Sequence, residues 1–227
     1  MRVLICLAVL ALAACASRPL TETERAFTGT VLGDAIDIAP VRITRGAAVG
    51  LLRPTVPPKP RTTCREKLFP PRDLPVKGRF PAFVLSDRVF YTREHWRADF
   101  LAGYPEAKSL RQSMRFAHEL VHVWQWQNRE VTGYHPLKAM TEHIESDDPY
   151  LIEIDPEKPF LAYAYEQQGV IVEEFVCCRA LAPTAPRTAE LLRLVRQVFP
   201  QAAARESVPR DEIALPWEGA ELNGICG

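Results

Sequence analysis

The sequence predicts an α+β domain, mainly helical with a small antiparallel sheet. Three observations predict it. From Glu106 to Thr132 there is neither Pro nor Gly, and Leu110, Met114, Ala117, Val121 and Trp124 recur three and four residues apart, the period of a long helix with a broad apolar face. Two short runs rich in β-branched and aromatic residues, Ala82–Ser86 and Val89–Tyr91, flank Asp87-Arg88 and read as a hairpin. The 227 residues, 47% hydrophobic and 25% charged, suffice for one sizeable core or at most two small ones, and they are too apolar for disorder. Lys plus Arg and Asp plus Glu both number 28, so the chain lacks the basic surplus that holds a polyanion, and no nucleic-acid partner is expected.

Met1 to Cys15 carries one positive charge at Arg2, a short apolar stretch and then small residues, the layout of a secretory signal too short to span a bilayer comfortably. Leu12-Ala13-Ala14-Cys15 resembles the bacterial lipobox. That resemblance implies a lipoprotein signal peptide at 1–14, acyl chains on Cys15, and a cell-envelope location held to a membrane by that lipid. Ala16, where Asp would direct retention elsewhere, points to the periplasmic side of an outer membrane. A plain signal peptide cut near Ala14 or Ala16 is the alternative. Removing 1–14 takes away Arg2 alone and leaves 27 basic against 28 acidic residues.

Residues 15–40 carry few order signals and read as an N-terminal tether, with 41–227 as a single domain. Val41–Thr44 and Val49–Leu52 suggest short strands around Arg45-Gly46, and the four prolines from Pro54 to Pro60 mark an extended connection inside that domain. Thr92 is placed to cap a helix through Leu101, stopped by Gly103; Gly133 ends the long helix, and a polar stretch follows from Tyr134 to Pro159. A second helix spans Ala162 to Leu181 before Pro183, and a third Thr188 to Phe199 before Pro200. The tail after Pro209 has no clear period, and there are no internal repeats.

Export changes the meaning of the cysteines. Cys64, Cys177, Cys178 and Cys226 are four thiols in an oxidising compartment. Neighbouring Cys177 and Cys178 rarely bond each other, so Cys64 and Cys226 are each expected to reach one of them. A cysteine metal site competes weakly, because no Cys-x-x-Cys spacing is present.

The chemistry lies in His118-Glu119-Leu120-Val121-His122, inside the long helix. Residues four apart on a helix project about 40° apart, so both imidazoles leave one side and can converge on one zinc ion. Glu119, turned about 100° from His118, is placed to act as a general base on water beside that ion. A third ligand is needed. The metzincin pattern requires Gly and then His where this chain has Gln125 and Asn128, which excludes it, whereas the gluzincin arrangement takes a Glu from a later helix. Glu166 is available there, and Glu173 shares its helical face as the alternative. His135, His143, Tyr134, Tyr163 and Tyr165 are candidates for binding substrate or an oxyanion, although loop histidines without a role are commoner. Trp124 and Trp126 read as packing residues.

His118-Glu119-Leu120-Val121-His122-Val123-Trp124-Gln125 followed by Glu166-Gln167-Gln168-Gly169-Val170-Ile171-Val172-Glu173 resembles a bacterial zincin-like family of gluzincin-type metallopeptidases, including domains associated with Rhs and Vgr proteins. The resemblance covers residues 80 to 180. It implies a zincin-like fold and a zinc ion on His118, His122 and Glu166, with Glu119 acting on water. Gly169 departs from the usual Ala, and Val170 stands where thermolysin-like enzymes carry an Asp that orients a histidine, so the outer partner of His118 or His122 has to come from elsewhere. The expected activity is zinc-dependent hydrolysis of peptide bonds in the bacterial envelope, on peptide or protein substrates. The hairpin near Phe83–Tyr91 offers an edge for an extended peptide. A muralytic enzyme shares this chemistry, and a non-catalytic envelope lipoprotein using the scaffold for binding is the alternative.

Overall fold

The structure, a computed structural model, describes residues 17–47 and 53–227. The signal and lipobox residues, Cys15 and the strand expected at Val49–Leu52 lie outside the described residues. The elements run β1 (Ser17–Arg18), α1 (Glu22–Val31), β2 (Arg42–Arg45), β3 (Thr55–Val56), α2 (Cys64–Lys67), β4 (Val76–Lys77), β5 (Ala82–Leu85), β6 (Arg88–Tyr91) and β7 (Lys108–Ser109). They continue with α3 (Leu110–Gln127), α4 (Arg129–Thr132), α5 (Pro136–Glu145), α6 (Tyr165–Leu181), α7 (Pro186–Val195) and β8 (Ile213–Ala214). The molecule is thus mixed α and β, with helices and small sheets.

The long helix starts later than its sequence period suggests. Lys108 and Ser109 pair in parallel with β8, and the Ser109 hydroxyl accepts from the Gln112 amide, which fixes the first turn of α3 at Leu110. Asn128 interrupts it, and Gly133, at φ 66°, closes the short α4 in the left-handed region that glycine adopts freely. From Phe116 to Gln125 every α3 side chain is buried. The reason is packing on two sides: β5 and β6 lie against α3, α6 lies against it elsewhere, and α7 packs on α6. α6 is correspondingly apolar around its circumference, with Val170–Val172 and Phe175–Cys178 buried.

Five expectations are corrected. The main sheet, ordered β1-β2-β6-β5, is not wholly antiparallel, because β2 and β6 run parallel. Some forty residues separate those strands, enough for a crossover. In the hairpin Leu85 faces Arg88, so the two loop residues are Ser86 and Asp87, with Ser86 at φ 57°. Over its described residues, the segment 15–40 is part of the folded body and not a tether. A Thr21–Glu24 capping box starts α1, Phe27 and Val31 enter the core, and buried Glu24 accepts from Arg18 and from the Phe100 amide. That last bond helps explain the fourth correction. Residues 92–101 make only turns, since the Phe100 and Leu101 amides go to the carboxylates of Glu24 and Asp99 instead of to a helical ladder. Fifth, the polar stretch contains α5, capped by His135 and started by Pro136.

Cys64 bonds Cys177 and Cys178 bonds Cys226. Consecutive helix positions point about 100° apart, so the two neighbours on α6 reach different segments, α2 and the C-terminal tail. Joined in these disulfides, the four sulfurs offer no thiolate to a metal.

Candidate metal centre

α3 sets His118 and His122 one turn apart, with their Nε2 atoms 3.1 Å from each other. Glu166, in the first turn of α6, places Oε2 3.1 Å from His118 Nε2 and 3.5 Å from His122 Nε2. Position and hold on α6 come from α5: the Glu142 carboxylate accepts the Tyr165 and Glu166 amides at 2.8 and 3.0 Å, an N-cap supplied by another helix. Gly169 lets the two helices approach. A Cβ there would sit 2.7 Å from His118 Cε1 and 2.8 Å from Nδ1, inside van der Waals contact.

The hydrogen-bond network decides where the imidazole protons are. Gln125 Nε2 donates to Tyr165 O and to Gln168 Oε1, and Gln168 in turn donates to Tyr163 O, so Gln125 Oε1 is left as an acceptor. It lies 2.8 Å from His122 Nδ1, which therefore carries the proton of the neutral ring and leaves the His122 Nε2 lone pair for a metal. His118 Nδ1 is buried without a hydrogen-bond partner among the described residues, with Glu173 Oε1 3.6 Å away. A proton on Nδ1 facing that carboxylate leaves the Nε2 of His118 free as well. The result is two imidazole lone pairs and a carboxylate oxygen within 3.1–3.5 Å of one another. Three acceptors so placed repel each other unless a cation or proton lies among them. Tetrahedral zinc with ligands near 2.0–2.1 Å separates its donors by ~3.3 Å, so the triangle fits the ion.

Electrostatics without an ion reflect the same crowding. Burial raises the Glu119 carboxyl above its usual range, partly offset by His118 and His122. Burial also opposes ionisation of Glu166, but in the metal-free protein the His122 charge and hydrogen bonds from protonated histidine nitrogens, which a bound ion would replace at the two Nε2 atoms, hold it well below the usual carboxylate range. For His122, burial lowers the pKa, while the Glu166 charge and hydrogen bond raise it to about 9, so at neutral pH the metal-free ring also carries a proton on Nε2 that an ion would displace.

His143, on α5, is brought to the centre, its Nε2 lying 3.1 Å from Glu166 Oε1. The two oxygens of Glu166 are thereby divided, Oε1 to His143 and Oε2 to the His118–His122 pair. Glu173 is behind His118 on the Nδ1 side, away from the triangle that Glu166 completes. Tyr134 stacks near His122 at 6.2 Å between ring centres, and Tyr165 donates to Gly133 O. His135 is not at the site; its Nδ1 caps α5 by accepting from Leu137. The Tyr163 hydroxyl accepts from the Asp155 amide. Trp124 packs edge-on to Phe160 and Phe199, whereas Trp126 lies under Arg129.

Other residues at the centre were not singled out from sequence. Gln125, three residues after His122, was the most legible, because i and i+3 meet on a helix. Glu142 and Tyr150, whose ring centre lies 6.0 Å from that of His118 and 5.5 Å from that of His143, arrive from segments distant from α3 and gave no local signal. Phe80 meets the His143 ring edge-on at 5.1 Å, which puts the start of β5, an edge strand, beside the centre.

No family model matches the chain, and no curated protein matches it. A solved structure is similar. It is the effector domain of Pseudomonas aeruginosa VgrG2b, 22% identical with a TM-score of 0.47, the match covering 82% of this chain and 83% of that one.

Proposed function

We propose that this protein is a zinc-dependent peptidase of the bacterial envelope, built on a zincin-like domain and anchored through a lipid on Cys15. One observation carries the enzymatic reading: two histidines with free Nε2 lone pairs and Glu166 Oε2 form a buried triangle of zinc dimensions, with Glu119 between the histidines in sequence. His118, His122 and Glu166 would hold the ion. When bound, it would polarise a scissile carbonyl and acidify a water. Glu119 accepts the proton of the attacking water and passes it to the leaving amine nitrogen, and its raised pKa suits a group that both takes and returns a proton. His143 steadies Glu166 through Oε1. The β5 edge, beginning beside His143, supplies backbone groups for an extended peptide.

The test is Glu119→Gln. Zinc content should stay near one ion per chain while hydrolysis of a mixed fluorogenic peptide set falls 10²–10⁴-fold, the range for losing a general base. Undiminished hydrolysis rejects the mechanism. A second reading, a metal-holding envelope scaffold without turnover, is favoured by the burial of His118, Glu119, His122 and Glu166, each at most 7% exposed. Wild-type protein that binds zinc but cleaves no member of the set supports it.

A further inference from the structure

His118 Nδ1 needs an acceptor, and the nearby carboxylate is held by a device from outside both long helices. Glu173 presents Oε1 to His118 Nδ1 at 3.6 Å, while its Oε2 accepts from Arg65 Nη1 at 2.8 Å. Arg65 lies on α2, four residues long and too short to persist alone. Two links fasten α2 to α6. One is the Cys64–Cys177 disulfide; the other is Glu174, whose carboxylate accepts the Cys64 and Arg65 amides at 2.9 and 3.2 Å. Cys177 follows Glu173 by one turn, so Cys64 meets Cys177 next to where Arg65 meets Glu173. The pair is sheltered, with side chains 13% and 18% exposed, which keeps the contact from being a solvated surface bridge. Cys178 points about 100° away and bonds Cys226 in the tail.

We propose that Arg65 is a positioning residue for the metal centre: held by the Cys64–Cys177 disulfide, it fixes Glu173 against His118 Nδ1, so metal affinity depends on that disulfide and not on Cys178–Cys226. The inference rests on the metal-binding reading above. The outer partner of His118 is then Glu173, three residues beyond Val170 on α6, and the group that holds it comes from a different segment, in place of the Asp absent at Val170.

The experiment measures Zn2+ affinity of the full chain by competition with a chromophoric chelator, together with the absorption spectrum after loading Co2+. Arg65→Ala should weaken Zn2+ binding tenfold to a hundredfold, the usual cost of losing an outer partner, and alter the Co2+ bands; Arg65→Lys, which restores a cation opposite Glu173, should recover part of both. Cys64→Ser with Cys177→Ser should weaken binding, whereas Cys178→Ser with Cys226→Ser should stay within twofold of wild type. Circular dichroism establishes folding, and if a disulfide variant does not fold, the Ala and Lys variants of Arg65 decide. Arg65→Ala within twofold of wild type, or two folded disulfide variants weakened equally, overturns the proposal and leaves the metal reading standing. Wild-type protein that binds no Zn2+ overturns both.

Discussion

Gln125→Leu tests the assignment of donor atoms on which the metal reading depends. The substitution keeps the volume of the side chain and removes its hydrogen bonds. Gln125 accepts from His122 Nδ1 at 2.8 Å and donates to Gln168 Oε1 at 2.9 Å, in a buried setting. Tyr165 O also loses a donor but remains in the first turn of α6. Two buried polar atoms are thus stranded, each costing about 1–3 kcal/mol, so metal-free protein should lose about 2–4 kcal/mol in urea unfolding after some relaxation. Separately, the His122 ring loses the bond that fixes its proton on Nδ1, and Zn2+ affinity should drop tenfold to a hundredfold, about 1.4–2.7 kcal/mol. Gln125→Glu separates the two effects. Its carboxylate still accepts from Nδ1 but confronts Gln168 Oε1 and Tyr165 O, so stability should fall while Zn2+ affinity is largely kept. If Gln125→Leu loses stability yet binds Zn2+ as wild type does, Gln125 is a packing residue and the lone-pair assignment for His122 is wrong.

Gly169→Ala should improve helix propensity by about 1 kcal/mol yet crowd His118, and overpacking costs about 1–3 kcal/mol, so the melting temperature should change little or fall while Zn2+ affinity declines; higher affinity would contradict the close approach. Removing the α6 cap with Glu142→Ala should cost about 1 kcal/mol in denaturant unfolding, and it should lower Zn2+ affinity because Glu166 sits in that first turn. The pH response of metal-free protein follows from His122, whose pKa near 9 exceeds its ordinary 6.5. Its contribution is complete below pH 6.5 and disappears as pH rises through 9, at most ~3 kcal/mol for one residue, so the metal-free melting temperature should fall over that window. Saturating Zn2+ should reverse that slope, since a ligand imidazole has to be deprotonated; melting curves with and without the ion check both signs.

The sequence by itself determined the parts whose signal is local. His118 and His122 share a face because a helix repeats every 3.6 residues, and the apolar period within a Pro- and Gly-free run marked that helix. Neighbouring Cys177 and Cys178, unable to pair with each other readily, pointed to partners at Cys64 and Cys226. Even α1 was legible in principle, since Thr21–Glu24 is a capping box and Phe27 and Val31 are one turn apart. α5 was harder, because its apolar Leu137, Met140 and Ile144 face solvent and only Ala139 is buried, so the pattern did not report a buried face.

Tertiary structure decided which carboxylate did what. Glu166 and Glu173 lie on one face of α6, and wheel geometry cannot tell them apart; the depth at which α6 crosses α3, set by Gly169 against the His118 ring, brings Glu166 to the Nε2 atoms and leaves Glu173 at Nδ1. Arg65, Glu142 and His143 reach the centre across 108, 24 and 23 residues of sequence from their partners. Such contacts arise from the packing of separate elements and the covalent link between α2 and α6, and the spacing of residues along one helix holds no record of them.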